Sequence, residues 1–380
     1  MTPTLSPSSP RLLIVLLSPT WQGIARLPKA LTRAGFKVAT FCHTDSLLAK
    51  TCFVEHFFEA PTAGDVFPSF VQAVRQSQPD LLIPGCEMAV EFFHAIAAAD
   101  SAGRLSQAMS DVLTLVRCSL GKPAFYRATL SKHETLEVAA RLGLRTPQQA
   151  HVVGVDDAIY QAKNFAAPVV LKGEFGYGGN AVRICHTPDD IAGAYRTLTV
   201  QGNYPRIVLQ QYIQGYVAMR AAVAVGGEML DSFAALKLHT HPHPTGPCSV
   251  ARFFENEETQ HILSALVAEY GFTGFCAADF IIESHTQQAY LLEFNPRPTP
   301  IAALGGLFGH DLGLALWRHL ASVPWQEPAS PILHDTVALF PNEWRRDAQS
   351  PFLTQAYHDV PWEDPLLLNA IIQCCVDQVG

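Results

Sequence analysis

Charged side chains are scarce in this chain. Asp, Glu, Lys and Arg make up 16% of its 380 residues while hydrophobic residues reach 48%, against about 25% charged in an average soluble protein. That deficit excludes an extended disordered chain, which needs the opposite balance. At roughly 150 residues per domain the length predicts two or three domains. Basic residues are also short, 26 Lys plus Arg against 34 Asp plus Glu for a net charge of −8, which argues against nucleic acid or an anionic membrane as a general partner. Long apolar runs are missing. The run at residues 12–17 falls far short of the ~20 residues that span a bilayer, so no membrane anchor is expected. Residues 1–10 contain no Lys or Arg and no long apolar stretch; they read as a disordered leader rather than a signal peptide. There is no C-x-x-C pair, and the nine cysteines are odd in number and scattered, with only Cys374 and Cys375 adjacent. That pattern predicts reduced thiols in a cytoplasmic protein. Neither G-x-S-x-G nor G-x-x-x-x-G-K-[ST] occurs, which removes the nucleophile elbow and the P-loop.

What is present begins with β-α-β. An apolar run at 12–17 precedes helix-like spacing over 23–34, then Gly35 and a second apolar run at 38–42. Residues 67–74 have helical spacing and lead to Leu81, Leu82, Ile83 and Pro84, a strand entering a loop with Glu87. These predict a parallel sheet. Ligands usually bind at the strand ends of such sheets, so the loop at 84–87 is a candidate substrate wall, with an ordinary loop the equal alternative. Ser131 and Glu134 fit the S-x-x-E capping box and start a helix that Gly143 and Pro147 end. A domain boundary falls near residue 125. From Pro168 onward short strands joined by Gly-containing turns predict an antiparallel, α+β region.

Two patterns carry chemistry. Val169, Val170 and Leu171 form a strand that delivers Lys172 in front of Gly173, Gly176, Gly178 and Gly179, after which 181–185 resumes a strand. Backbone amides bare of Cβ atoms fold over anionic oxygens, with Lys172 as fixed charge; a loose hairpin turn is the plainer reading. The second pattern is a hairpin, 277–283 with 288–295. Placing Ile281 opposite Leu291 puts Asp279 opposite Glu293, and the two-residue period brings Asn295 to that face. Facing carboxylates repel unless a cation lies between them, and hard oxygen donors suit Mg²⁺; chance charges on a solvated hairpin are the alternative. Arg297 follows and offers paired donors to phosphate. His239, His241 and His243 alternate among Pro242, Pro244 and Gly246, a spacing that suits a transition metal or, as the favoured reading, a mobile loop near a substrate. Residues 331–380, including Trp362, Glu363 and Asp364, carry no motif and read as a packing appendage.

The order of these features resembles the ATP-grasp superfamily over residues 125–315, through Ser131-Lys132, Leu171-Lys172 to Gly179, Val208 to Gly215 and Leu292 to Pro298. The first region is similar to the pre-ATP-grasp domain, and 296–312 to the carbamoyl-phosphate synthetase-like branch. The resemblance implies an α/β and α+β protein: a pre-ATP-grasp, Rossmann-like parallel-sheet domain at 11–124, followed by an ATP-grasp fold at 125–330, divided into 125–205 and 206–330. It implies that Lys132 and Lys172 contact nucleotide phosphates, that Gly176, Gly178 and Gly179 close over them, and that Gln210, Gln211, Tyr212 and Ile213 line the adenine. Asp279, Glu293 and Asn295 would hold one or two Mg²⁺ ions, with Mn²⁺ as the alternative, and Arg297 would steady the transferred group. The implied reaction joins a small-molecule carboxylate to an amine through an acyl phosphate, using ATP. A carboxylating or phosphorylating relative, or a nucleotide-binding protein without turnover, are the alternatives, and a homodimer is the assembly to expect. Three departures stand out. Tyr216 and Val217 follow Gly215 where an acidic, ribose-binding residue is usual, Gln210 stands where Glu is common, and Ala277 replaces an Arg, for which Arg220 is a candidate substitute. The acid and the amine are not legible.

Overall fold

The computed structural model describes residues 9–18, 21, 23–99, 107–176, 179–324 and 334–377. The expected leader lies outside them except for Ser9 and Pro10, and Pro10 is already buried, its carbonyl accepting from Lys37 N at 3.0 Å. β1 (Arg11–Leu16), α1 (Leu27–Ala34), β2 (Lys37–Cys42), β3 (His56–Glu59), α2 (Phe67–Ser77), β4 (Leu81–Pro84), α3 (Glu87–Ala99) and α4 (Gln107–Cys118) form the first layer. Its sheet is wholly parallel, in the order β3-β2-β1-β4. Residues 12–16 of β1 are buried without a polar interruption, as a strand covered by helices on both faces must be.

Two short helices, α5 (Tyr126–Leu130) and α6 (Lys132–Arg141), lead to a four-stranded antiparallel sheet. Half of the expected capping box forms. Ser131 Oγ accepts from Glu134 N at 3.0 Å, but the Glu134 carboxylate turns to Arg127 instead of returning to the cap. The sheet is built from β5 (Gln149–Val152), α7 (Val155–Ala162), β6 (Val169–Gly173), β7 (Val182–Cys185), α8 (Pro188–Arg196) and β8 (Ile207–Gln211), with strand order β5-β8-β6-β7. The Gly-rich segment joins β6 to β7; Gly178 lies outside the described residues.

The largest sheet holds β9 (Gly215–Val225), β10 (Glu228–Thr240), β11 (Cys248–Phe253), β12 (Gly274–Glu283) and β13 (Ala289–Asn295), with α9 (Glu257–Tyr270) and α10 (Leu312–Leu320) on opposite faces. Even positions of β9 and β12, among them Ala218, Ala222, Ala278, Phe280 and Ile282, pack under α9. Odd positions such as Met219, Ala221 and Phe275 face the first layer. The expected hairpin between β12 and β13 exists in a different register. Asp279 does oppose Glu293, but Phe280 opposes Leu291 and Ile281 opposes Tyr290, because a β-bulge inserts Leu292. That extra residue changes the phase of the strand. Ala289 and Leu291 point into the core under α9, as does Phe294, so Glu293 and Asn295 are released to the other face.

From residue 334 the described chain packs on the body. β14 (Thr336–Ala338), α11 (Asn342–Arg346), α12 (Phe352–Gln355), β15 (Tyr357–His358) and α13 (Pro365–Asp377) extend the large sheet in the order β13-β12-β9-β10-β11-β14-β15 and then reach the first layer. There Leu367, Ile371 and Cys375 of α13 close a small core with Ala25 and Leu47. Asp364 accepts from Thr51 Oγ1 at 2.5 Å, and Glu363 pairs with Lys29 and Arg33.

Candidate functional site

The small sheet and the odd face of the large one enclose a cavity of about 350 Å³. β6 contributes Val170 and Lys172 and β8 contributes Gln210, which oppose one another as Val170 and Gln210. From across the cavity come Gly215, Val217 and Met219 of β9, Asp279 and Ile281 of β12, and Glu293 and Asn295 of β13. The two-residue period of each strand places these side chains on one face. Every described residue expected at the site lines this cavity: Lys132, Lys172, Gly176, Gly179, Gln210, Gln211, Tyr212, Ile213, Asp279, Glu293, Asn295 and Arg297.

Its centre is a cluster of charge. Lys132 lies 3.2 Å from Glu293 and also donates to the Gly176 carbonyl, tying the first helix to the Gly-rich segment. Lys172 is 4% exposed, and its Nζ reaches the Leu292 carbonyl that the bulge turns outward, at 3.4 Å. Burial and the nearby Lys132 charge push Lys172 down to about 7, against a weaker pull from Glu293. Burial raises the Asp279 carboxyl, repulsion from Glu293 adds to it, and Lys237 opposes both. Burial also works against the Glu293 charge, but Lys132, Lys237 and Lys172 outweigh it and hold that carboxyl well below the usual range.

Lys237 had no role in the sequence reading. It sits on β10 and reaches across β9 to Asp279 Oδ2 at 2.8 Å. Its signal is a lone ammonium in the apolar run Phe233, Ala234, Ala235, Leu236, which a buried strand tolerates only with a partner. Arg220 moves the other way. It faces α9, bonded to Thr259, Ser232 and the Asn256 carbonyl and 2% exposed, because an even position on β9 points away from the cavity. It is a core residue and replaces no metal-side arginine.

Three lysines surround two carboxylates, so the described site holds an excess of positive charge suited to a polyphosphate. Asp279 and Glu293 stand opposite each other with Asn295 two residues on, and their nearest cations are the Lys237 and Lys132 ammonium groups. Hard oxygen donors that already attract cations fit a divalent ion such as Mg²⁺. Gln210, which also lines the cavity, is 3% exposed, and its buried Nε2 has no hydrogen-bond partner.

None of residues 84–87 lines the cavity, and the loop touches it only through one of its lining residues, Arg297. Glu87 accepts from Arg297 Nη2 at 2.5 Å, and the Arg297 guanidinium stacks 4.8 Å from the Trp21 ring centroid. The three histidines do not converge. His239 packs edge-on to Phe352, while His243 contacts Asn180 and Thr245. Among the described residues no group of three His, Cys, Asp or Glu could hold a metal ion. The loop is a closed turn, with Thr240 Oγ1 donating to the carbonyls of His243 and Pro244 and Thr245 Oγ1 donating to the Gly179 carbonyl. No helix among the described residues is long and apolar enough to cross a membrane, and the nine cysteines are unpaired.

No family model matches the chain. It is 26% identical over 180 residues to a carbamoyl-phosphate synthase of Methanobrevibacter smithii, covering 45% of this chain and 47% of that one. The chain thus spans about half the length of this relative, and 15% of the next, a carbamoyl phosphate synthase large chain of Vibrio cholerae. Its fold matches biotin carboxylase of Campylobacter jejuni, solved with β-γ-ATP, at a TM-score of 0.62 and 15% identity over 86% of this chain and 74% of that one. L-amino acid ligase of Bacillus licheniformis matches at 0.58 and 16% identity, over 86% and 78%. The chain thus shares the fold of these ATP-using enzymes and, over 180 residues, a sequence likeness to carbamoyl-phosphate synthase.

Proposed function

We propose that this protein is an ATP-dependent carboxylate–amine ligase. One observation carries the reading: Lys132, Lys172 and Lys237 converge with Asp279 and Glu293 in a single cavity that Gln210 and Arg297 also line. The relatives and the fold neighbours, which include a carbamoyl-phosphate synthase and an L-amino acid ligase, support it. The division into a first domain at 11–124, a grasp at 125–330 and a C-terminal segment from 331 belongs to the same proposal, although β14 and β15 of the last segment are strands of the large sheet.

Gln210 to Ile213 bind the base. Lys132 and Lys172 bind phosphate oxygens, with Gly176 and Gly179 bringing backbone close to them. Asp279, Glu293 and Asn295 would hold Mg²⁺, which on binding neutralises phosphate charge. Arg297 orients the acceptor carboxylate, whose oxygen takes the γ-phosphoryl group of ATP; ADP leaves, and an amine then displaces phosphate from the acyl phosphate. No side-chain nucleophile is needed, and charge stabilisation with positioning supplies the rate.

Incubation with ATP, Mg²⁺ and pooled acids and amines, followed by ADP and phosphate, tests the reading. ADP release that requires both an acid and an amine supports a ligase. Release with bicarbonate alone would favour a carboxylating enzyme, the second reading that the biotin carboxylase likeness motivates.

A further inference from the structure

Of the three lysines in the cavity, Lys237 is bound to its carboxylate most exclusively. Lys132 bonds both Glu293 and the Gly176 carbonyl, and Lys172 reaches the Leu292 carbonyl. Among the described residues the one hydrogen-bond acceptor of Lys237 is Asp279 Oδ2, at 2.8 Å. The sheet explains this. Asp279 stands opposite Met219 of β9, and Met219 opposite Ala235 of β10, so Lys237 lies two strands from Asp279 and two residues beyond Ala235 on the same face. Between them β9 presents Val217 and Met219 to the cavity, neither with an oxygen or nitrogen in its side chain, and the β11 residue opposite Lys237 is Ala251. The Lys237 and Asp279 side chains are 14% and 19% exposed. An ammonium so enclosed that left its carboxylate would lose its counter-charge where little water replaces it, and so would the carboxylate. Lys132 can turn from Glu293 to a phosphate oxygen, but Lys237 stays on Asp279.

We propose that Lys237 is a built-in cation that takes the place of one divalent ion, so that the nucleotide site holds a single Mg²⁺ and not two. The inference rests on the ATP-binding part of the reading above and fixes its metal count. With Asp279 Oδ2 committed to the ammonium, the Oδ1 atom, Glu293 and Asn295 remain for one ion. A second divalent ion on Asp279 would share that carboxylate with a fixed positive charge, and like charges at close range repel strongly where water is scarce. Lys237 acts through Asp279, as a positioning residue.

The experiment titrates Mn²⁺ into the protein held in excess over the non-hydrolysable ATP analogue AMP-PNP, and counts bound ions from the electron paramagnetic resonance signal of free Mn²⁺. The parent is expected to bind one ion per nucleotide. Lys237→Met, which keeps the length of the side chain and removes its charge, is expected to bind two. Two ions in the parent, or one in the variant, would overturn the proposal; a variant that holds one ion and loses affinity for the nucleotide would make Lys237 a phosphate ligand instead. The variant leaves Asp279 without its partner and should be less stable to urea. Adding Asp279→Asn removes both charges and should recover the urea midpoint while returning the count to one, which a merely structural pair would not do. Should Lys237→Met fail to fold, Lys237→Gln, whose amide still donates to Asp279, takes its place with the same count expected. If AMP-PNP does not bind, the ATP reading fails, and Mn²⁺ alone decides this one. Affinity at least tenfold tighter in Lys237→Met than in the parent supports Lys237 as the resident cation, and equal affinity overturns it.

Discussion

At the scale of single residues, the site depends on charges held near others of the same sign. Asp279 and Glu293 face each other, and Lys132 and Lys172 share one small volume. Each repulsion is offset by a neighbour of opposite charge, and the arrangement favours a ligand that is itself a cation beside a polyanion. Glu293→Gln removes one anionic oxygen without changing shape. Its ATP turnover should fall by about 10²–10³-fold, since several kcal/mol of charge stabilisation are lost at about 1.4 kcal/mol per decade. Its melting temperature should stay within a few degrees of the parent; unchanged ADP release would remove the metal assignment. Lys172 provides a second check. Its ammonium titrates at about 7 in the fold against 10.5 in its ordinary state, so between those values the unfolded chain carries a proton that the folded chain has shed. Stability therefore rises with pH across that window. Phosphate oxygens restore the charged form, so nucleotide binding at pH 8 should take up a proton, measurable by calorimetry in buffers of different ionisation enthalpy. Affinity should weaken as pH climbs above about 7, and binding without proton uptake would place Lys172 away from the phosphates.

At the scale of elements, strand period decides which side chains meet. One inserted residue, Leu292, separates a core-facing Leu291 from a site-facing Glu293, and frees the carbonyl that Lys172 reaches. Without the bulge, strict alternation from Ala289 would turn Glu293 under α9. The Gly-rich segment depends on a different constraint. Gly179 adopts φ +70°, and a Cβ there would stand 1.7 Å from the Thr245 carbonyl oxygen. The segment and the 240–247 turn can approach this closely only because that atom is missing. Gly179→Ala should lower stability to urea by about 1–2 kcal/mol, the cost of an L side chain in that backbone region, because the close approach to Thr245 exists without nucleotide. An unchanged urea midpoint would show that the segment moves off Thr245 at no cost.

For the whole molecule, the question is how three sheets stay assembled around one cavity. The final segment contributes to two of them. β14 and β15 extend the large sheet, and α13 covers part of the first layer through Leu367, Ile371 and Cys375. Ile371 is 1% exposed, so Ile371→Ala should cost about 2–5 kcal/mol by loss of packing and creation of a cavity. The loss appears as a lower urea midpoint, with KM for ATP unaltered because the residue lies outside the site. A shift below 1 kcal/mol would mean that α13 docks loosely and that the first layer is stable without it.

The parallel first layer and the antiparallel sheets were legible in the chain because they are local patterns; Lys132 and Gln210 to Ile213, which line the cavity, were singled out only by the ATP-grasp resemblance. A strand advertises itself by β-branched runs, a Gly-rich turn by its composition, a paired carboxylate motif by its spacing. Asp279 opposite Glu293 was reached through a register that paired Ile281 with Leu291; the bulge that makes the pairing work has no composition signal, since any residue can occupy it. Lys237, Trp21 and Thr299 come to line the cavity only when distant strands and loops fold onto one another, and Arg220 is excluded only by the helix that buries it. Local sequence determined which elements form and which chemistry they carry. Long-range packing decided which faces meet, because one residue of phase turns a side chain from solvent or ligand into the core.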